Sequence, residues 1–359
     1  MERVYNFAAG PSTMPVEALE TAAREMLSFG ESGMSVMEMS HRSKAYQEIF
    51  SETEALVRDL MHIPESYAVL FLQGGATGQF AAVAMNLLTG SGKADYVDTG
   101  VFAHNALVEA GKYGTARTVA SSREEGYRRI PALSREMFDP EADYCYITTN
   151  NTIYGTRYSQ IPDTGAVPLV ADMSSNILSQ PYDVEKFGAI FAGAQKNIGP
   201  AGFALVVVRR DLLGRQMACT PQILNWKLMD EKGSMLNTPP TYAIYMAGLC
   251  MKWLKKQGGV EGIYPVNCEK AQILYDYLDQ SKLFKAVADK DSRSIMNVTF
   301  RTGNEDLDAE FVKAATKQGL VSLKGHRSTG GMRASIYNAM PIEGVRALRD
   351  FMNKFEMEH

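Results

Sequence analysis

From Tyr67 onward the chain alternates short apolar runs with amphipathic stretches, and this alternation constrains the fold more than any other feature of the sequence. Tyr67 to Leu72, Tyr96 to Asp98, Tyr144 to Thr148, Pro168 to Ala171, Ala189 to Ala192 and Ala204 to Val208 read as buried strands. A helix through Phe80, Val83 and Leu87 follows the first of them, and helical or loop segments separate several others. Such an order predicts an α/β fold, with a mostly parallel sheet covered by helices on both faces. Ahead of the sheet, Val16, Leu19, Ala22, Ala23, Met26 and Leu27 line one helical face before Gly30. A second helix runs from Tyr46 to Met61, with Pro64 as its stop. Beyond Gly258 and Gly259 the pattern becomes a helix through Ala271 and Leu274, strands near Ile295 to Phe300 and Met332 to Tyr337, and two further helices. The expected division is a large domain over 16–259 and a smaller α+β domain formed by 1–15 and 260–359.

Composition narrows the function classes. With 359 residues, 45% of them hydrophobic, the chain can bury a substantial core. Its formal net charge of -4 supplies no global basic field, so neither nucleic acid nor an anionic membrane is an expected partner. Cys145, Cys219, Cys250 and Cys268 lie far apart, without zinc-ligand spacing, and no metal site is expected. The first fifteen or so residues lack the pattern of a secretory signal, and no stretch approaches membrane-spanning length. A cytoplasmic protein is expected.

Open parallel sheets bind ligands at the carboxyl ends of their strands, so the polar residues that follow each run carry the chemistry. After Leu72 comes Gln73-Gly74-Gly75-Ala76-Thr77-Gly78-Gln79, a glycine turn opening a helix, where free amides can hold a phosphate. Alone it is equally a tight turn, since it is neither a dinucleotide fingerprint nor a Walker loop. After Ala171 comes Asp172, a carboxylate that needs a cationic or protonated partner if buried, or that caps a turn. After Ala192 comes Gly193-Ala194-Gln195-Lys196-Asn197, a lysine in apolar, glycine-bordered surroundings that would lower its pKa and make it a nucleophile toward an aldehyde. Taken singly, it could equally be an ion-pair partner. Together the three match pyridoxal 5'-phosphate, which requires an anion cradle, a carboxylate for its ring nitrogen and a lysine for its aldehyde.

At this point the residues resemble a known family, the phosphoserine aminotransferases, which belong to the class V aminotransferases and the fold-type I pyridoxal-phosphate enzymes. The agreeing segments are Asn6-Phe7, Gly10-Pro11, Ser40-His41-Arg42-Ser43, the glycine turn, Asn150-Asn151-Thr152, Ala171-Asp172, Ala194-Gln195-Lys196-Asn197 and Asn237-Thr238-Pro239-Pro240. Near the C-terminus, Lys324-Gly325-His326-Arg327 and Gly330-Gly331-Met332-Arg333 through Asn338 complete them. The resemblance implies that Lys196 attaches the cofactor and Asp172 pairs with its ring nitrogen. Ala76, Thr77 and Gln195 would hold the phosphate, Thr152 the ring hydroxyl and Phe102 the ring face. Asn237 and Thr238 would reach the phosphate of the neighbouring subunit's cofactor, which implies a homodimer with shared active sites. Arg42, His326, Arg327 and Arg333 match substrate-binding cations, a set chemically suited to carboxylates and a phosphate dianion.

Three positions depart from the family pattern: Thr77 stands where some members carry arginine, Phe102 replaces tryptophan, and Ala9 replaces a substrate-contacting serine. The implied reaction exchanges an amino group between L-glutamate with 2-oxoglutarate and 3-phosphohydroxypyruvate with O-phospho-L-serine, in L-serine biosynthesis. The resemblance also raises the 4-phosphohydroxy-L-threonine step of pyridoxal-phosphate biosynthesis. The alternatives are another class V aminotransferase or a desulfurase, a non-catalytic protein that binds a phosphorylated metabolite, and a nicotinamide dehydrogenase. Desulfurase chemistry lacks a cysteine beyond Cys268, mere binding has no use for both Lys196 and Asp172, and the dehydrogenase lacks its glycine fingerprint.

Overall fold

A computed structural model describes residues 3–359. Strand β1 (Tyr5–Asn6) and helices α1 (Val16–Arg24) and α2 (Lys44–Met61) precede the central sheet. The sheet is built from β2 (Tyr67–Gln73), β3 (Lys93–Asp98), β4 (Thr115–Ser121), β5 (Tyr144–Thr148), β8 (Leu169–Asp172), β9 (Ala189–Gly193) and β10 (Phe203–Arg209). Between β5 and β8 the short strands β6 (Asn150–Asn151) and β7 (Thr156–Arg157) form a hairpin. The order across the sheet is β2-β10-β9-β8-β5-β3-β4, and only β10 runs antiparallel to its neighbours. The direction of β10 follows from its connection: the link from Gly193 to Phe203 is shorter than the dozen or so residues a parallel crossover needs.

Alternation along β2 shows why both faces are covered. Ala68, Leu70 and Leu72 pack with Phe80, Val83 and Leu87 of α3 (Ala76–Leu87) and with Ala106 of α4 (Val101–Ala110). Trp226 and Met229 of α5 (Trp226–Glu231) belong to the same cluster. Tyr67, Val69 and Phe71 turn the other way, onto Tyr46, Phe50 and Leu60 of α2 and Ile244 and Met251 of α6 (Thr241–Lys256). Helix α1 ends at Arg24, earlier than the expected stop at Gly30, and Leu27 beyond it is exposed.

Gly258 and Gly259, both at positive φ, turn the chain from α6 into α7 (Gly259–Gln280). A separate core then forms among α7, α8 (Glu305–Lys317), α9 (Ile342–Glu358) and a sheet of β11 (Lys285–Ala286), β12 (Asn297–Arg301) and β14 (Met332–Ser335). Strand β13 (Leu320–Val321) pairs in parallel with β1, and Phe7 enters this second core. Buried polar groups join the two parts: Asn150 Nδ2 donates to Asn297 Oδ1 at 2.8 Å, and Asn338 Nδ2 donates to the Leu178 carbonyl at 2.8 Å. Among the described residues, no helix is long and apolar enough to cross a membrane.

Candidate active site

The carboxyl ends of β2, β5, β8 and β9 meet around Lys196. Asp172 is the last residue of β8 rather than the first beyond it, paired across the sheet with Thr148, and it is 5% exposed. Ser174 supplies both hydrogen bonds of its carboxylate: the backbone amide donates to Asp172 Oδ1 at 2.9 Å and the hydroxyl to the same oxygen at 2.6 Å. Burial pushes the Asp172 carboxyl above the ordinary carboxylate range, while Ser174 and then Lys196 oppose that rise.

Lys196 follows β9 in a turn closed by the Gly199 amide donating to the Ala194 carbonyl at 2.9 Å. Its Nζ donates to Thr152 Oγ1 at 2.8 Å and lies 5.9 Å from the centre of the Phe102 ring. Burial pushes its ammonium down to about 8, with Asp172 raising it and Arg333 lowering it further. The amine is therefore available as a nucleophile close to neutral pH.

Each neighbouring group has a local reason for its place. Thr152 sits in the turn of the β6–β7 hairpin, where the Tyr154 and Gly155 amides both donate to the Asn151 carbonyl. Gly155 has φ +72, and a Cβ there would lie 2.6 Å from Thr299 Oγ1. Gly100, just before α4, lets that hairpin approach, since a Cβ on it would meet Asn151 Oδ1 at 2.7 Å. Phe102 on the first turn of α4 is thereby set beside Thr152 and Lys196. The start of α3 has no side-chain cap; the Gly78 amide donates to the Gly75 carbonyl at 3.1 Å, and the amides of Ala76 and Thr77 remain for an anion. Gln195 turns back toward that helix end, its Oε1 2.9 Å from where a Cβ on Gly193 would stand, with Ala76 N 3.5 Å from the same point.

The cations divide into two groups. Arg333, on β14, donates from Nη1 to the Thr152 carbonyl at 3.5 Å and so reaches the Lys196 neighbourhood from the second core. His326 lies in a tight turn in which its carbonyl accepts from the Thr329 and Gly330 amides. The Ser328 amide donates to His326 Nδ1 at 3.3 Å, which leaves Nε2 as the protonated nitrogen of the neutral ring. Burial, Arg333 and Arg327 all hold this imidazole below its ordinary pKa. Arg327 itself is exposed.

Arg42, also exposed, lies just before α2 and makes no ion pair among the described residues. The Gln47 side chain donates to the His41 carbonyl at 2.6 Å and to Met235 Sδ at 3.3 Å, which ties the Arg42 turn to the segment bearing Asn237 and Thr238. Those two residues, both exposed, accept from Gln73 Nε2 at 3.0 and 2.6 Å through Asn237 Oδ1 and the Thr238 carbonyl. Within one chain, none of the three bonds to Lys196.

Two further residues shape the site without having stood out in the sequence. Ser12 Oγ donates to the Lys196 carbonyl at 2.6 Å, and its amide to the Gln195 carbonyl at 3.1 Å, strapping the N-terminal segment over the lysine turn. Ser174, two residues after Asp172, also accepts from the Gly193 amide at 3.0 Å. The first contact spans almost two hundred residues and the second two strands, so neither leaves a local pattern.

A nucleophilic amine, a buried carboxylate with one unbonded oxygen, an aromatic face and uncapped helix amides lie together at these strand ends. The set fits a phosphorylated aromatic aldehyde with a ring nitrogen. Comparison with known proteins agrees. The family model Aminotransferase class-V matches residues 4–348. A phosphoserine aminotransferase of Bacillus cereus is 52% identical over 359 residues, with both chains fully covered. The solved structure of the phosphoserine aminotransferase of Bacillus circulans subsp. alkalophilus superposes with a TM-score of 0.97 at 45% identity, over 100% of this chain and 99% of that one. The pyridoxal-phosphate-bound phosphoserine aminotransferase of Trichomonas vaginalis does so with a TM-score of 0.92 at 39% identity, over 98% of this chain and 100% of that one. By sequence and by fold alike, this chain belongs to the class V aminotransferases, in the phosphoserine aminotransferase family.

Proposed function

We propose that the chain transfers an amino group between L-glutamate with 2-oxoglutarate and 3-phosphohydroxypyruvate with O-phospho-L-serine, with pyridoxal 5'-phosphate as cofactor and L-serine as the pathway product. The observation that carries this reading is Lys196, an amine whose ammonium burial holds near 8, bonded to Thr152 and accompanied by Asp172 in a family-matching frame. When bound, the cofactor supplies an electrophilic carbon and an electron-withdrawing ring. Lys196 Nζ would hold it and, once free, would take up and return the proton that leaves the substrate Cα. Asp172 would hold the ring-nitrogen proton, and the first-turn amides of Ala76 and Thr77, with Gln195, would hold the phosphate. Thr152 takes the ring hydroxyl and Phe102 the ring face.

Two substrates alternate in the same pocket, and both carry an anion distal to the reacting carbon. Arg333, reaching the Thr152 carbonyl, is the group for the α-carboxylate they share. His326 as an Nε2–H donor, with Arg327 and Arg42, suits the distal phosphate or carboxylate. Losing one charge-assisted bond to a buried anion costs roughly 2–5 kcal/mol of transition-state binding. Arg327→Ala should therefore depress kcat/KM for 3-phosphohydroxypyruvate well beyond its effect on unphosphorylated hydroxypyruvate, whereas Arg333→Ala depresses both alike. Equal losses from the two replacements, or a wild-type preference for the unphosphorylated acid, would leave only a general transaminase.

The working unit of this reading is a homodimer with shared sites, in which Asn237 and Thr238 reach the partner's cofactor phosphate. Their exposure in the single chain, alongside the Arg42 turn, supports it. Hybrids of a Lys196→Ala subunit with an Asn237→Ala, Thr238→Ala subunit test it. Sharing gives each hybrid one site with every wild-type group, so activity should return where both parent homodimers are impaired. Properly formed hybrids without recovery would count against it.

A further inference from the structure

We propose that Ser174 is a positioning residue that decides where the proton between Asp172 and the cofactor's ring nitrogen resides, a role that rests on the pyridoxal-phosphate reading above. The argument starts from the direction of a short hydrogen-bond chain. The Gly193 amide can only donate, and it donates to Ser174 Oγ at 3.0 Å. The hydroxyl's single proton then points at Asp172 Oδ1, 2.6 Å away, where the Ser174 amide also donates at 2.9 Å. A proton placed on Oδ1 would have to displace one of these donors, so Oδ1 remains an acceptor. Among the described residues, nothing bonds Oδ2, which is left for the ring nitrogen.

Two donors on one carboxylate oxygen favour the charged form and oppose the burial that disfavors it. Without the hydroxyl, only the backbone donor remains, and the carboxylate becomes the stronger base. The shared proton then shifts from the ring nitrogen toward Oδ2, and the ring withdraws electrons less strongly. The same hydroxyl also ties the end of β8 to Gly193 at the end of β9, where the lysine turn begins, so the carboxylate and the amine are held in one frame.

The test uses the full-length protein as wild type, Ser174→Ala, Asp172→Asn and the double variant. Each is reconstituted with pyridoxal phosphate carrying nitrogen-15 in its ring, and the cofactor's Kd and the ring-nitrogen NMR shift are measured. A hydrogen bond to a charged group corresponds to roughly a 10- to 10²-fold effect. Ser174→Ala should move the nitrogen-15 signal toward the unprotonated position and change the cofactor's Kd by no more than about that factor. In the Asp172→Asn background the same serine change should alter Kd little, because the charge it acts through is gone. An equal loss of affinity in both backgrounds, or an unmoved nitrogen-15 signal in Ser174→Ala, would overturn the proposal, marking the hydroxyl as structural only. Wild-type protein that takes up no cofactor would instead overturn the underlying reading, and the serine's role with it.

Discussion

Lys196→Ala should abolish both borohydride-fixed cofactor and transamination, the largest effect expected of any single replacement in this chain. Alanine removes the amine proposed to attach the cofactor and to move the Cα proton, so activity should fall by on the order of 10⁴-fold or more. A mass-spectrometric map of the wild-type protein after borohydride treatment should place the cofactor on the Lys196 peptide, and cofactor on any other lysine would end the assignment. The same amine has a pH signature in the cofactor-free protein. Competitive reductive methylation should follow a midpoint of about 8, where burial holds its ammonium. Because Asp172 raises that value and Arg333 lowers it, Asp172→Asn should move the midpoint down and Arg333→Ala should move it up. A midpoint near that of a solvated lysine would show the amine is not held in this way.

Much of this site was legible because its chemistry sits directly after apolar runs. Asp172 and Lys196 stand at the ends of β8 and β9, and the glycine turn after β2 opens α3, so strand ends alone point to the cofactor. What stayed unread depends on pairing. Strand β4 has no apolar run, because it lies at the sheet's edge with its side chains largely exposed or half-buried. The antiparallel direction of β10 is invisible in its residues, since a strand buried on both faces looks alike either way; only the length of its connection betrays it.

Buried polar groups were the hardest to read. Lys270 on α7 resembles any helix-surface lysine in the sequence, yet it is 0% exposed, and its ammonium donates to the carbonyls of Ile336, Tyr337 and Met340 at 3.1, 2.8 and 3.2 Å. It thereby anchors the turn after β14, whose Asn338 amide donates to Asn197 Oδ1 at 3.0 Å, next to Lys196. Ser12 and Ser174 belong to the same class: small polar residues whose partners come from distant parts of the chain. Hydrophobic periodicity reports which face a residue takes, and says nothing about which carbonyl a buried donor will find.

Asp172→Asn should change activity and apo-protein stability in opposite directions. In the cofactor-free chain the carboxylate is buried without a cationic hydrogen-bond partner, and burial raises its pKa above that of an unfolded aspartate. For an acid, a raised folded-state pKa means the charged form is disfavored by folding. The penalty is absent below the unfolded pKa, grows as pH rises from there toward the folded pKa, and is complete above it. Asparagine keeps the shape, and its side-chain oxygen can still accept from Ser174, so the apo-protein should melt at a higher temperature at neutral pH and lose that advantage in acid. With cofactor bound as proposed the balance should reverse, because the carboxylate would gain the protonated ring nitrogen as its partner. Breaking a buried charge pair by removing one member costs roughly 3–5 kcal/mol, which corresponds to roughly a 10²- to 10⁴-fold loss of turnover at about 1.4 kcal/mol per tenfold. Calorimetry of the apo and loaded forms at two pH values, with kcat beside them, separates the terms. Unchanged turnover would remove Asp172 from the chemistry, and an apo-protein destabilised at neutral pH would show that the carboxylate stabilises the fold, so that burial is not its dominant effect.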